Sequence, residues 1–323
     1  MTKTLRLLVL FTLLPFMAAT ARAIDSSAGT SASTFMNLGM GSPRAQALGN
    51  AYVALADGSD ALAWNPAGIA SCQQREVAFS NLSWIQDYSG KYLSYVQPLG
   101  QAVIGVNFAY MSMDGFDARD ANDIPQPNDT VNVNNTFGTL ALARNFFSDT
   151  LSLGAGVKRI SENNDGTEYS NVVFDFGAKL KFGRRVALGW ALQNLGDKKE
   201  VVEIQRYGAA WAVNSFFTVT GEMSKPSDNK QRVGVGLEIN LPQEMIEVGK
   251  FTFRVGYFDR DNTGKNYSDS FLSDMKLSET SKISFGCGLY SNEIFGYGAG
   301  IDFAMVPYGA LGRATQIAAR FQF

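Results

Sequence analysis

Arg313-Ala314-Thr315-Gln316-Ile317-Ala318-Ala319-Arg320-Phe321-Gln322-Phe323 is the stretch that decides how the rest of the chain is read. In an extended strand Ile317, Ala319, Phe321 and Phe323 share one face, and Gln316, Ala318, Arg320 and Gln322 share the other. A strand that is apolar on one side, polar on the other and ends in Phe suits the closing strand of an outer-membrane barrel. Such a strand faces lipid outward and a wet lumen inward. Taken alone, the same alternation would serve an amphipathic edge strand in a soluble protein.

Further back, the same unit recurs in segments of about ten residues. Phe295, Tyr297, Ala299, Ile301 and Phe303 oppose Gly296, Gly298, Gly300 and Asp302. Phe251, Phe253, Val255 and Tyr257 oppose Lys250, Thr252, Arg254 and Gly256. Val172, Phe174, Phe176, Ala178 and Leu180 oppose Asp175, Gly177, Lys179 and Lys181. A period of two with charge confined to one side requires one apolar and one wet environment. Fourteen such segments fit between Arg75 and Phe323, near 75–85, 89–98, 101–113, 134–147, 150–161, 170–182, 184–194, 203–213, 215–224, 230–240, 250–258, 281–290, 294–306 and 313–323. Those at 134–147 and 203–224 alternate poorly. Pro98-Leu99-Gly100, Ser148-Asp149, Gly183 and Asn214 read as tight turns, whereas 114–133 and 259–280 are long and polar. Tight turns at one end and long loops at the other are the habit of membrane barrels, and an even strand count returns both chain ends to the tight-turn side.

The N-terminus supplies the compartment. Lys3 and Arg6 precede an apolar run from Leu7 to Met17, followed by Ala21-Arg22-Ala23. This predicts a secretory signal peptide over residues 1–23, a mature start at Ile24 and a bacterial outer-membrane location. No Cys follows the cleavage site, which argues against a lipoprotein. No later segment is long and apolar enough for a helical span. The formal net charge of −2 is far from the basic balance expected of a nucleic-acid binder, and no nucleic-acid partner is expected. Cys72 and Cys287 are too few for a disulfide scaffold, and a bridge between them is left open. Cys287 falls on the apolar face of Ile283-Phe285-Cys287-Leu289, as a small lipid-facing group.

Residues 24–74 break the strand pattern and form a second unit ahead of the barrel at 75–323. The segment from Arg44 to Gly58 is rich in small residues and leads into Ser59-Asp60-Ala61-Leu62-Ala63-Trp64-Asn65-Pro66-Ala67-Gly68. Ser59 is a candidate N-cap of a short helix that Pro66 and Gly68 would end. A fourteen-stranded lumen is too wide for wall side chains alone to fill, so this unit is expected to plug it as a hatch. The alternative is a tail with no role inside the barrel.

Arg44-Ala45-x-Ala47-Leu48-Gly49-x-Ala51-Tyr52-Val53-Ala54-Leu55-Ala56-Asp57, followed by Ala63-Trp64-Asn65-Pro66-Ala67-Gly68, resembles the N-terminal hallmark of the PorV/PorQ outer-membrane proteins. Asn65-Pro66-Ala67 is also similar to the hatch motif of the wider FadL-like group, and Gly300 to Gly312 resembles the penultimate hairpin of the PorV/PorQ proteins. The resemblance implies a fourteen-stranded barrel with an N-terminal hatch. It also implies one of two roles. In PorV the role is type IX secretion, receiving cargo with a C-terminal signal. FadL relatives admit hydrophobic small molecules through a hatch and a lateral opening. This chain has modest loops and no long apolar hairpin outside to collect a ligand, so the expectation leans towards a secretion-linked barrel that docks exported proteins or secretion components. Uptake of hydrophobic or small solutes is the alternative. Outer-membrane lipid and the barrel-assembly machinery are partners on either reading, with Phe321 and Phe323 as the assembly signal.

Chemistry is sparse. The chain contains no His, which removes Ser-His-Asp and Cys-His catalysis, and with it the His-dependent outer-membrane phospholipases and omptin-type proteases. No catalytic residue, cofactor or metal site is expected. Asp259-Arg260-Asp261-Asn262-Thr263-Gly264 mimics half of a calcium loop, but Ser270 stands where the bidentate Glu belongs. The cluster Asp114, Asp117, Asp120, Asp123 and Asp129 reads as a wet outer loop that could take divalent ions or a surface partner. By face, Lys158, Lys179, Lys181, Arg232, Arg254 and Arg320 enter the lumen against Asp175, Glu238 and Asp302. Charges in a narrow lumen are costly unless paired. The expectation is that hatch carboxylates Asp57 and Asp60 bond to wall cations such as Lys179, Arg232 and Arg254 and pin the plug; the alternative is that water and the three wall acids suffice for those cations.

Overall fold

The computed structural model describes residues 34–85, 88–113, 117–119, 122, 124–130, 133–196, 201–241, 249–261, 264–265, 267–279, 282–294 and 297–323. The expected signal peptide and its cleavage site lie outside the described residues, as do Asp114, Asp120, Asp123, Asn262, Thr263 and Gly296.

The alternating segments form strands that close on themselves. β1 (Glu76–Ser83), β2 (Tyr88–Leu99) and β3 (Ala102–Met113) lead to a small outer hairpin, β4 (Asp117–Arg119) and β5 (Pro125–Thr130). The wall resumes with β6 (Val133–Phe146), β7 (Leu151–Asn164), β8 (Thr167–Phe182), β9 (Val186–Leu195), β10 (Ile204–Ala212) and β11 (Phe217–Pro226). It ends with β12 (Arg232–Leu241), β13 (Lys250–Phe258), β14 (Ile283–Ile294), β15 (Tyr297–Pro307) and β16 (Arg313–Gln322). Fourteen of these, all but β4 and β5, make one closed antiparallel barrel. The seam joins β1 to β16 from Glu76↔Gln322 to Ser83↔Thr315. Beyond it Arg75 and Phe323 exchange both backbone hydrogen bonds, 3.1 and 3.0 Å. Closure leaves no barrel strand edge unpaired, which is what a bilayer demands of a sheet.

The faces follow the sequence. Phe321 is 52% exposed on the outside while Gln316 is 2% exposed within. Leu93, Phe108, Leu142, Phe174, Phe253 and Ile301 are likewise large, apolar and open to the exterior. An apolar belt of this extent suits lipid rather than water. Cys287, aligned with Phe253 and Phe303 on the neighbouring strands, belongs to the same outer face. Both cysteines are free, so no Cys72–Cys287 bridge exists. No helix among the described residues is long and apolar enough to cross a membrane.

Two details depart from the sequence expectation. Connections at the long-loop end are not all long: β7 and β8 are joined by Asp165-Gly166, both at positive φ (52° and 83°), the two-residue turn whose twist matches its strands. The wall is also uneven, because β6, β7 and β8 run 14, 14 and 16 residues while β9 to β13 run only 9 or 10. At the step between β8 and β9 the register slips by one residue, from Phe176↔Leu192 to Phe174↔Leu195. Asn194 takes up the extra residue at φ 59°, a bulge that turns its side chain into the lumen.

Candidate functional site in the barrel lumen

Residues 34–72 fold as a compact series of short turns inside the barrel. Ser42 caps the helix Pro43–Ala47, its Oγ accepting from the Ala45 amide at 3.2 Å, and Pro43 occupies the first position, where its missing N–H costs nothing. Ser59 does not cap the next element. It lies inside the 3-10 turn Ser59–Ala63, whose N-cap is Gly58 at φ 70°. Pro66 likewise begins a turn, Pro66–Ser71, rather than ending one. Asn65 caps that turn, accepting from the Ala67 amide at 3.1 Å, while its Nδ2 donates to the Val53 carbonyl at 2.9 Å and to the Ala178 carbonyl of the wall at 3.3 Å. The Asn65-Pro66-Ala67-Gly68 motif is therefore the corner at which the hatch turns against β8. A Cβ on Gly68 would collide with Ala56 and Ala61, and one on Gly177 of β8 with the Asn65 side chain. The lumen is small-residued here because the hatch backbone lies directly on it.

Glu222 of β11, 4% exposed, gathers the hatch. It accepts from the backbone amides of Tyr52 and Val53 at 2.9 and 2.8 Å, from the Trp64 indole at 3.2 Å, and from Arg206 of β10 at 2.7 Å. Arg206 stacks on the Trp64 ring, 4.5 Å from its centroid. Gln316 of β16 donates to the Met40 carbonyl at 2.6 Å, Glu76 of β1 accepts from the Ser59 amide at 2.7 Å, and Lys179 of β8 donates to the Ala56 carbonyl. The hatch is thus held from opposite sides of the wall. Neither Glu222 nor Arg206 stands out in the sequence, although a lone inward carboxylate on a strand whose inner face is otherwise Thr and Ser must find a partner.

The hatch carboxylates do not bond to the wall directly. Asp57 pairs with Arg44 of the hatch itself at 2.9 Å, and it is Arg44 that reaches the wall, at Glu238 of β12 and 2.8 Å. Asp60, 5% exposed, accepts from Ser42 Oγ at 2.6 Å and the Tyr52 hydroxyl at 3.2 Å. Among the described residues no wall cation lies within ion-pair distance of either. Arg254 serves the wall alone, between Glu238 at 3.1 Å and Asp302 at 2.5 Å. Arg232 sits at the opposite end of the barrel, against Asp261 of an outer loop at 2.7 Å. The two hatch acids consequently differ. Burial drives Asp60 up to about 6, helped by Asp57 and Glu76 and only partly countered by Arg320 and the Ser42 bond. Burial would also raise Asp57, but Arg44, Lys179 and Arg320 outweigh it and bring the group down to about 2.

The lumen divides at the hatch. Towards the long loops, Phe35 and Met36 of the hatch pack with wall residues Tyr92, Met111, Phe137, Ile160 and Val173 in one apolar cluster. Phe35 and Phe137 ring centroids are 6.0 Å apart. Beneath it a buried pair, Lys158 and Asp175 at 2.8 Å, flanks the β9 bulge, where Lys158 also donates to Asn194 at 2.7 Å. Towards the short turns the hatch roofs a polar chamber of about 1180 Å³. Gly298 and Gly300 line this chamber and abut Tyr290, Gln322 and Arg320 rather than the hatch. No group of three potential ligands for a metal ion occurs among the described residues.

A closed fourteen-stranded antiparallel barrel plugged by its own N-terminal segment is similar to the FadL-type outer-membrane barrels. The toluene transporter TbuX of Ralstonia pickettii matches with a TM-score of 0.56 at 12% identity, covering 87% of this chain and 96% of that one. The toluene transporter TodX of Pseudomonas putida gives 0.53 at 13% identity, covering 87% and 96%. A FadL homologue from Pseudomonas aeruginosa gives 0.51 at 12% identity over the same shares. Residues 16–173 match an uncharacterised protein family, UPF0164. No curated protein matches the chain. These similarities lie with the wider FadL-like group and add nothing for PorV/PorQ in particular.

Proposed function

We propose that the protein is a hatch-gated outer-membrane channel for small hydrophobic solutes. The observation that carries this reading is the apolar cluster on the long-loop side of the hatch. Porin-type lumens, which pass water-soluble solutes, are polar throughout. Here Phe137, Tyr92, Met111, Ile160 and Val173 form a buried wall surface on the long-loop side of the hatch that rewards loss of water. Phe35 and Met36 occupy that surface in the closed state, so a solute has to displace them. The register shift and bulge between β8 and β9 lie beside this cluster. The solved toluene transporters with the same fold support the class of solute. Secretion-linked docking, which the N-terminal motif and the modest loops favour in the sequence, gains no support from them.

The test is uptake of radiolabelled toluene by cells of an outer-membrane-channel-deficient host expressing the chain, against the same host carrying Phe137→Asp. The expected result is uptake above the empty host that the variant loses while its barrel still assembles. Uptake equal to the empty host's, with the barrel present at normal level, overturns the proposal.

A further inference from the structure

The polar chamber on the short-turn side is not neutral, and its charges are arranged in two layers. Among the described residues, eight basic and four acidic side chains line it. Next to the hatch the charges cancel. Arg44 is held by Asp57 and Glu238, Arg254 by Glu238 and Asp302, and Arg320 by Asp302 at 2.8 Å. Glu76 accepts from the Ser59 amide and from Gln322, both at 2.7 Å, and Lys179 donates to the Ala56 carbonyl. All four acids are engaged in this inner layer. The outer layer is Lys181 near the end of β8, Arg184 and Arg185 in the β8–β9 turn, and Lys250 at the start of β13. Among the described residues none of these four has a carboxylate partner.

We infer that this chamber is a binding site for a small multivalent organic anion bearing carboxylate or phosphate groups, held by Lys181, Arg184, Arg185 and Lys250. A cleft in low-dielectric protein whose uncompensated charges share one sign focuses its field inward and concentrates counter-ions. Guanidinium groups offer paired donors that match carboxylate and phosphate oxygens. The volume, about 1180 Å³, is slightly above the roughly 300–1,000 Å³ usual for small-ligand pockets, which leaves room for the anion and some of its water. The hatch makes the chamber blind, so an anion that enters is retained rather than passed. The site exists whether or not the hatch ever opens, and it stands independently of the solute proposed above.

Calorimetric titration of the full chain in zwitterionic detergent with pyrophosphate and with citrate tests the assignment. The expected result is saturable one-to-one binding of at least one probe, weakening as salt rises. Lys181→Gln with Arg184→Gln and Arg185→Gln should lower the affinity at least about tenfold, the loss of one charge-assisted contact or more. Lys250→Gln should weaken it by a smaller factor. Lys276→Gln, on the opposite end of the barrel, should leave it unchanged. The substituted turn is exposed, and heat-modifiable migration of each variant confirms an assembled barrel. No saturable binding of either probe, or equal binding by the triple variant, overturns the inference. Binding of an acidic peptide with neither small probe bound overturns the assignment to small anions.

Discussion

Glu222 stands 170 residues along the chain from the Tyr52 amide it accepts from, and nothing in the local sequence announces the meeting. Alternation tells which residues of a strand face the lumen. It does not tell which lumen group faces which, because that depends on the strand stagger and on the path of the hatch across the pore. Asp57 and Asp60 are legible as hatch charges, but the link from hatch to wall is not: Arg44 lies 13 residues from Asp57 and 194 from Glu238. Glu222→Ala leaves Arg206 without its carboxylate and three hatch donors without an acceptor. The expected cost is about 3–5 kcal/mol, the usual result of breaking one side of a buried pair. Urea unfolding in lipid vesicles reads it, and an unchanged midpoint would show that the hatch draws nothing from this residue. Asp60 gives a pH dependence of known sign. Its folded value of about 6 lies above the ordinary 3.8, so the folded state holds the extra proton between those values. Stability therefore rises as pH falls through about 6 and is fully gained below about 4. Asp57, held near 2, stays ionised across this window and does not mask it. Asp60→Asn should raise the unfolding midpoint at pH 7.5 and match wild type at pH 4. An equal gain at both pH values would place the effect elsewhere.

At the scale of the element, strand existence was legible wherever lipid and lumen differ sharply in polarity. β13 was placed at 250–258, where it is found. β10 and β11 alternated poorly because the inner side there is a mixture: Gly208 and Ala210 lie among Arg206, Thr220 and Glu222, matching the close approach of Val53 and Ala54. The turns of the hatch depart from their sequence signals for a related reason. Ser59 and Pro66 carry ordinary capping and breaking signals, but the path there is set by contact with β8 and β1 rather than by local propensity. β16 offers the element-level prediction. Phe321 and Phe323 point outward, and the Phe323 backbone completes the seam with Arg75. Phe323→Asp puts a charge on the lipid face at that seam and should lower the amount of heat-modifiable barrel in the outer membrane, whereas Phe323→Tyr should restore it. Normal levels of the Asp variant would remove Phe323 as an assembly determinant.

For the whole molecule, closure and plugging are separable. The ladder from β1 round to β16 is complete without a hatch residue in it, since every barrel strand pairs with two others. The hatch, by contrast, depends on the wall. Its elements are turns of 5 or 6 residues, too short to persist alone, and several of their backbone groups are bonded to Glu222, Glu76, Gln316 and Lys179. The fourteen-strand count was readable because each strand solves the same problem, whereas the plug is solved once, by contacts between distant residues. It follows that a chain lacking residues 34–71 should still assemble, because lumen charges left behind by the hatch regain water in its place. Arg206 and Glu222 keep each other, at 2.7 Å, and Arg254 keeps Asp302. Planar-bilayer recording should then show a steady open pore for the deletion where the intact chain stays closed. Asp57→Lys with Asp60→Lys should fall between the two, because a lysine beside Arg44 repels the residue that links hatch to Glu238 while Glu222 and Gln316 still hold. Intermittent openings, together with protease access to residues 44–68, are the expected signature. If the deletion assembles but conducts no better than the intact chain, the lumen is blocked by something other than the hatch, and gating by the hatch is excluded.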